Sequence, residues 1–116
     1  MRRLLPHLLF VAALWLGLGW AAPARAQSAA LPSWTVTVKD GVFSPRRLEV
    51  PAGQRIKLIL INQGPGPLEF ENTDLHVEKI LAAQAESFVV IKLPPGEHMF
   101  VDEFNIATGE LLIVAR

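Results

Sequence analysis

The chain contains no cysteine. Disulfides, thiolate metal ligands, cysteine nucleophiles and lipid attachment at an N-terminal cysteine are therefore excluded. It also lacks an excess of positive charge, with 11 basic residues against 11 acids. Three of those basic residues, Arg2, Arg3 and Arg25, fall in a segment that reads as a leader, so the remainder is mildly acidic. A small acidic domain without a basic patch is a poor nucleic-acid binder. There is no Gly-rich phosphate loop and no H-E-x-x-H pattern, so no catalytic constellation is visible. Any enzymatic role would be at most that of a metal-dependent redox helper. Long helical periodicity, internal repeats and low-complexity tracts are missing as well.

What is present begins with an export signal. Arg2 and Arg3 form a positive start, an apolar run extends from Leu4 to Ala22, and Ala24-Arg25-Ala26 offers small residues for cleavage before Gln27. The expectation is a cleaved signal peptide over 1–26, a linker over 27–33, a single domain over 34–116, and a periplasmic location. A retained N-terminal anchor is the competing reading, because the apolar run nearly reaches membrane-spanning length.

Beyond the linker the pattern has period two. Trp34, Val36 and Val38 alternate with Thr35, Thr37 and Lys39, as in a half-buried strand. Leu48–Val50 is a brief strand stopped by Pro51-Ala52-Gly53. Arg55–Asn62 is almost continuously apolar from Ile56, which predicts a central strand buried on both faces. Gly64-Pro65-Gly66-Pro67 forces a loop, and Leu68–Glu71 resumes a short alternation. Asn72–Leu81 is ambiguous: Thr73 or Asp74 could cap a helical turn, or Asp74, His76 and Glu78 could share one face of a strand. Glu86–Leu93, Glu97–Phe104 and Glu110–Ala115 complete seven or eight short strands separated by turn signals. That pattern predicts an all-β, antiparallel sandwich.

Four segments in order carry a resemblance. They are V-T-V-K-D-G-V-F-S-P (Val36–Pro45), L-E-V-P-A-G-Q (Leu48–Gln54), I-K-L-I-L-I-N (Ile56–Asn62), and P-P-G-E-H-M-F-V-D-E-F with a later T-G-E-L-L-I-V (Pro94–Val114). Together they resemble cupredoxins, which implies a Greek-key β-sandwich with a mononuclear copper site at one end. In that resemblance the first histidine ligand falls at Glu69, the cysteine at Asp102 and the second histidine at Asn105. The methionine loop is shortened to Ile106-Ala107-Thr108. Blue-copper electron transfer requires a thiolate, so the likeness does not extend to that activity. The string L-E-F-E-N-T-D-L-H-V-E-K-I (Leu68–Ile80), with V-D-E-F (Val101–Phe104), is similar to cupredoxin-like domains of the EfeO type in bacterial ferrous-iron uptake. The short chain with its own signal most resembles the small stand-alone (FtrB-like) component of such systems. That likeness implies a membrane iron permease and other periplasmic uptake components as partners.

Glu69 and Glu71 are two residues apart, so an extended backbone sets both carboxylates on one face, with Phe70 on the other. With the fold implied by the resemblance, Asp102 and Glu103 join that end of the sandwich. Converging carboxylates repel unless a cation or protons intervene. Hard oxygen ligands suit iron, manganese or calcium, and an added imidazole improves the fit to copper. The candidate metal set is therefore Glu69, Glu71 and Asp102, with His76, Glu78 and Glu103 as further members and iron or copper as the ion. Solvated acids on a strand end are the plain alternative. Strand parity separates Asp102 from Glu103 and favours Asp102 as the inward group. His76 is a ligand or an exposed histidine beside Glu78-Lys79. His98 reads better as a hydrogen-bonded structural histidine than as a copper ligand paired with Met99, because the two point to opposite faces.

These readings converge on a metal-binding accessory of ferrous-iron uptake, assisting iron oxidation or its delivery to a permease. The competing reading is a metal-free sandwich that serves as a periplasmic interaction module.

Overall fold

The structure is a computed structural model that describes Gly19 and residues 30–116. The expected signal peptide lies outside the described residues, save Gly19. Nine strands follow in order: β1 (Ser33–Lys39), β2 (Val42–Ser44), β3 (Arg47–Val50), β4 (Arg55–Asn62), β5 (Leu68–Asn72), β6 (Val77–Leu81), β7 (Glu86–Lys92), β8 (Gly96–Asp102) and β9 (Glu110–Ala115). A 3-10 turn, Glu103–Asn105, sits between β8 and β9.

The strands form two sheets, ordered β2-β1-β4-β7 and β3-β9-β8-β5-β6. The sandwich is all-β, as the period-two pattern predicts. It is not purely antiparallel, however, because β1 pairs with β4 and β3 with β9 in parallel. Turn signals announce only local hairpins. The parallel pairs arise because the chain leaves the first sheet after β2, forms β3 in the second, and returns as β4.

Alternating side chains meet between the sheets. Val36 and Val38, then Ile56, Leu58 and Leu60, face Leu68, Phe70, Phe100, Leu111 and Ile113 across the core. Phe70 stacks on Phe100 with centroids 4.9 Å apart and meets Phe43 edge-on at 6.1 Å. Each such ring contributes about 1.5–3 kcal/mol by leaving water. The expectation that β4 is buried on both faces needs correcting. Ile56, Leu58 and Leu60 are buried, whereas Lys57, Ile59 and Ile61 are only half covered. Among the described residues no third layer covers that outer face, and the Lys57 ammonium instead lies 4.3 Å from the Phe88 ring centroid.

The ambiguous Asn72–Leu81 stretch is a hairpin. The Asn72 side chain accepts from the Leu75 N–H, and His76 takes a positive φ of 55° to turn the chain. Asp74 and His76 therefore lie in the turn, and only Glu78 is on the strand.

Candidate functional site

Two acidic regions adjoin at one end of the second sheet. The first is buried. β8 places His98, Phe100 and Asp102 inward and Met99 and Val101 outward, following strand parity, and the 3-10 turn then opens with the half-buried Glu103. Asp102 is 1% exposed, and each of its carboxylate oxygens is engaged. Oδ1 accepts from the backbone N–H groups of Glu69 and Phe104, each at 3.1 Å. Oδ2 accepts from Asn105 Nδ2 at 2.9 Å. Asp102 is thus the N-cap of the 3-10 turn and a tie from β8 to β5. The backbone closes around it, with Asp102 N–H donating to Gly109 O and Gly109 N–H to Asn105 O, both at 2.8 Å.

The second region is the outer face of the same sheet. Glu71 lies directly opposite Glu78 on β6 and Val101 on β8, and Val101 opposes Glu110 on β9. One row away, Glu69 pairs with the exposed Ile80. Glu103 follows β8 on the same side. The outward positions of β5, β6 and β8 carry no lysine or arginine. Carboxylates therefore face carboxylates, which is unfavourable for directly opposed pairs.

The titration of these groups follows. The Glu69 carboxyl is pushed above its ordinary value by partial burial first, then by a hydrogen bond and charge from Glu78 and by the charges of Glu71 and Asp102. Glu103 is raised chiefly by a hydrogen bond shared with Glu71 and by that neighbour's charge. Glu71 itself accepts from Thr73 Oγ1 at 3.1 Å. Glu49, paired with Arg47 and Arg116 on another part of the sheet, is shifted the opposite way.

The fold brings Glu69, Glu71, Glu78 and Glu103 together on this face. Asp102 lies beneath it with its oxygens turned inward. His76 is exposed at the hairpin turn, off the strands, and lines a shallow depression with Glu71 and Glu78. His98 bonds through Nε2 to the Pro94 carbonyl at 2.7 Å, and Met99 points to the other face. Among the described residues, no three histidine, aspartate or glutamate side chains are gathered as a metal ion would require. Glu110 and Asn62 escaped the sequence reading. Glu110 has the outward parity of a strand that opens with an acid. Asn62 is buried and holds the Gly64–Pro67 loop by donating to Gly66 O and accepting from Gly64 N.

Residues 8–114 match the family described as the cupredoxin-like domain. The chain belongs to that family. The cupredoxin-like domain is 34% identical over 82 residues to an uncharacterized protein of Rickettsia prowazekii (strain Madrid E), covering 70% of this chain and 66% of that one. The chain thus spans just under two thirds of that relative's length. Among solved structures it is similar to the metal-binding domain of the Cu(I)-exporting P-type ATPase CopA from Streptococcus pneumoniae D39. That match has a TM-score of 0.62 and 9% identity, over 72% of this chain and 84% of the other. It is also similar to reduced auracyanin from Roseiflexus castenholzii, with a TM-score of 0.56, 12% identity, and coverage of 72% and 96%. At such identities the likeness establishes the fold.

The family's copper can be tested against the donors present at this end. The cysteine position holds Asp102, whose oxygens already accept three hydrogen bonds, and the second histidine position holds Asn105, which supplies one of them. Glu69, read from sequence as the first ligand position, offers this end its backbone N–H. The inward side chain beside it is Leu68, which is fully buried. This donor set does not fit a cupredoxin copper centre.

Proposed function

We propose that this cupredoxin-like domain acts outside the cytoplasm as a metal-handling accessory of ferrous-iron uptake. It would take up iron or copper ions on the glutamate face of its five-stranded sheet and pass them toward a membrane permease. The observation that carries the reading is the direct opposition of Glu71 to Glu78, flanked by Glu69 and Glu103, with no cationic side chain at the outward positions of β5, β6 and β8. A multivalent cation relieves that repulsion, and hard carboxylate oxygens suit iron. The E-F-E…D-L-H-V-E string, similar to the EfeO type, supports the iron assignment, and Ala24-Arg25-Ala26 supports export. The glutamates are long and largely solvated, so binding would draw them together from their free positions.

Calorimetric titration with Fe(II), Fe(III) and Cu(II) tests this reading. Wild type should bind at least one ion, and Glu71→Gln with Glu103→Gln should weaken binding tenfold or more without lowering the melting temperature. Equal affinity in both proteins would remove the acidic face from consideration. Exposed Ile80 and Met99 border the same glutamates at 58% and 45% exposure, which favours a second reading as a protein-docking face. Absence of binding for every ion would favour that one.

A further inference from the structure

We propose that Asp102 and Asn105 form a metal-independent clasp that closes the end of the sandwich where other cupredoxins hold copper. The carboxylate sits where the β5–β8 ladder ends, at the Phe70–Asp102 pair, and ties that end to the turn that follows. It accepts from the Glu69 N–H on β5, the Phe104 N–H of the 3-10 turn and the Asn105 side chain. A metal held by residues of β5, β8 and the following loop would cross-link the same segments. Here a buried acid does so with hydrogen bonds alone.

The surroundings are shaped to it. A Cβ on Gly109 would stand 2.6 Å from Asp102 Cβ and 2.9 Å from the Asn105 carbonyl. A Cβ on Gly41 would meet the Asn105 side chain at 2.6 Å, and Gly41 also has a φ of +70°. Thr108 Oγ1 donates to the Gly41 carbonyl at 3.0 Å, which brings the β1–β2 turn into the same assembly. No buried side-chain nitrogen or oxygen among the described residues is left without a partner. Both Asp102 oxygens thus have partners within the protein, and the residue acts as a positioning residue rather than as a ligand. The inference stands apart from the proposed binding on the outer glutamates.

A four-member exchange cycle tests it: wild type, Asp102→Asn, Asn105→Asp, and the double exchange. Asp102→Asn replaces charge-assisted bonds by neutral ones and requires the Asn105 amide to flip so that its oxygen accepts, and Asn105→Asp sets two carboxylates together. The double exchange restores one donor and one acceptor, while the carbonyl at 102 still accepts from both backbone N–H groups. Each single variant should melt below wild type, and the double exchange should melt above both singles. Asn105→Ala provides a milder probe, with a loss of about 4–8 °C expected from the removal of one hydrogen bond. That loss should be the same in chelator and in excess Cu(II), and Cu(II) affinity should equal that of wild type. The clasp is overturned if Asn105→Ala melts with wild type, or if the double exchange melts no higher than the singles. A loss that appears only with metal present, or one accompanied by weaker Cu(II) binding, would make Asp102 a ligand instead. Failure of wild type to bind any ion would defeat the proposed function and leave the clasp untouched.

Discussion

Asp102 and Glu103 are neighbours in the chain, and the fold puts them to opposite uses. Asp102 is buried, yet its charge is met by two backbone N–H groups and an amide. Glu103 reaches solvent, yet it faces other carboxylates and titrates above its ordinary range. Burial alone would predict the reverse order of comfort, because desolvation penalises a charge. Donors decide the outcome. Glu69 shows the same contrast within one residue, giving its N–H to the clasp and its carboxylate to the crowded face. The difference between the regions therefore lies in what the backbone aims at each acid.

The largest expected effect comes from breaking the tight side of this comparison. Gly109→Ala forces a Cβ against Asp102 and the Asn105 carbonyl, and overpacking of this kind costs about 1–3 kcal/mol. Gly66→Ala, in a loop that lines a depression together with Asp102 and Asn105, meets nothing within 4 Å. It should change stability by no more than about 0.5 kcal/mol. Urea unfolding of the two variants checks the contrast. Equal midpoints would mean that the clasp end is loosely packed.

Sequence reasoning reached these regions unevenly. The strands were legible where alternation was clean: Trp34–Lys39 falls within β1, and Glu110–Ala115 coincides with β9. The short β2 and the parallel partners were not, because pairing between distant segments leaves no local trace. Parity assigned Asp102 the inward side of β8, and the strand ends there, with Glu103 opening the 3-10 turn. What parity could not supply was the identity of the inward acid's partners. Two of them are backbone N–H groups, which every sequence contains. Asp74, His76 and Glu78 shared a face only on the premise of one continuous strand, and the positive φ at His76 ends that premise.

The next prediction loosens the crowded side. Glu69 and Glu103 both have folded pKa values raised above the ordinary 4.5. Raised carboxyls bind protons more readily in the folded state. Their contribution is therefore full below the ordinary value and is lost as pH rises through the raised ones. Glu49, which is lowered, acts below 4.5 and does not overlap that window. Glu69→Gln with Glu103→Gln should thus melt above wild type at neutral pH, with the gap closing as pH falls toward 4.5. The effect is modest because the groups are solvated and screened. A gap that is constant across this range would mean that the carboxylates do not repel one another.

The smallest effect should come from placing a cation where the crowded face has none. Ile80 is 58% exposed and stands directly opposite Glu69, with Glu78 two residues before it on the same side. Ile80→Lys removes no core contact of consequence, and it brings an ammonium within reach of both carboxylates. It gives Glu69 what the backbone gives Asp102, a partner of opposite character. Titration followed by NMR should show the Glu69 pKa falling back toward the ordinary carboxylate range, with a slight rise in melting temperature at low salt. Both changes should fade in 1 M salt, where the screening length is about 3 Å. If cations do bind on this face, the tethered ammonium should also weaken their uptake. An unchanged Glu69 titration would show that its shift arises from burial alone, and the contrast between the two regions would then reduce to desolvation.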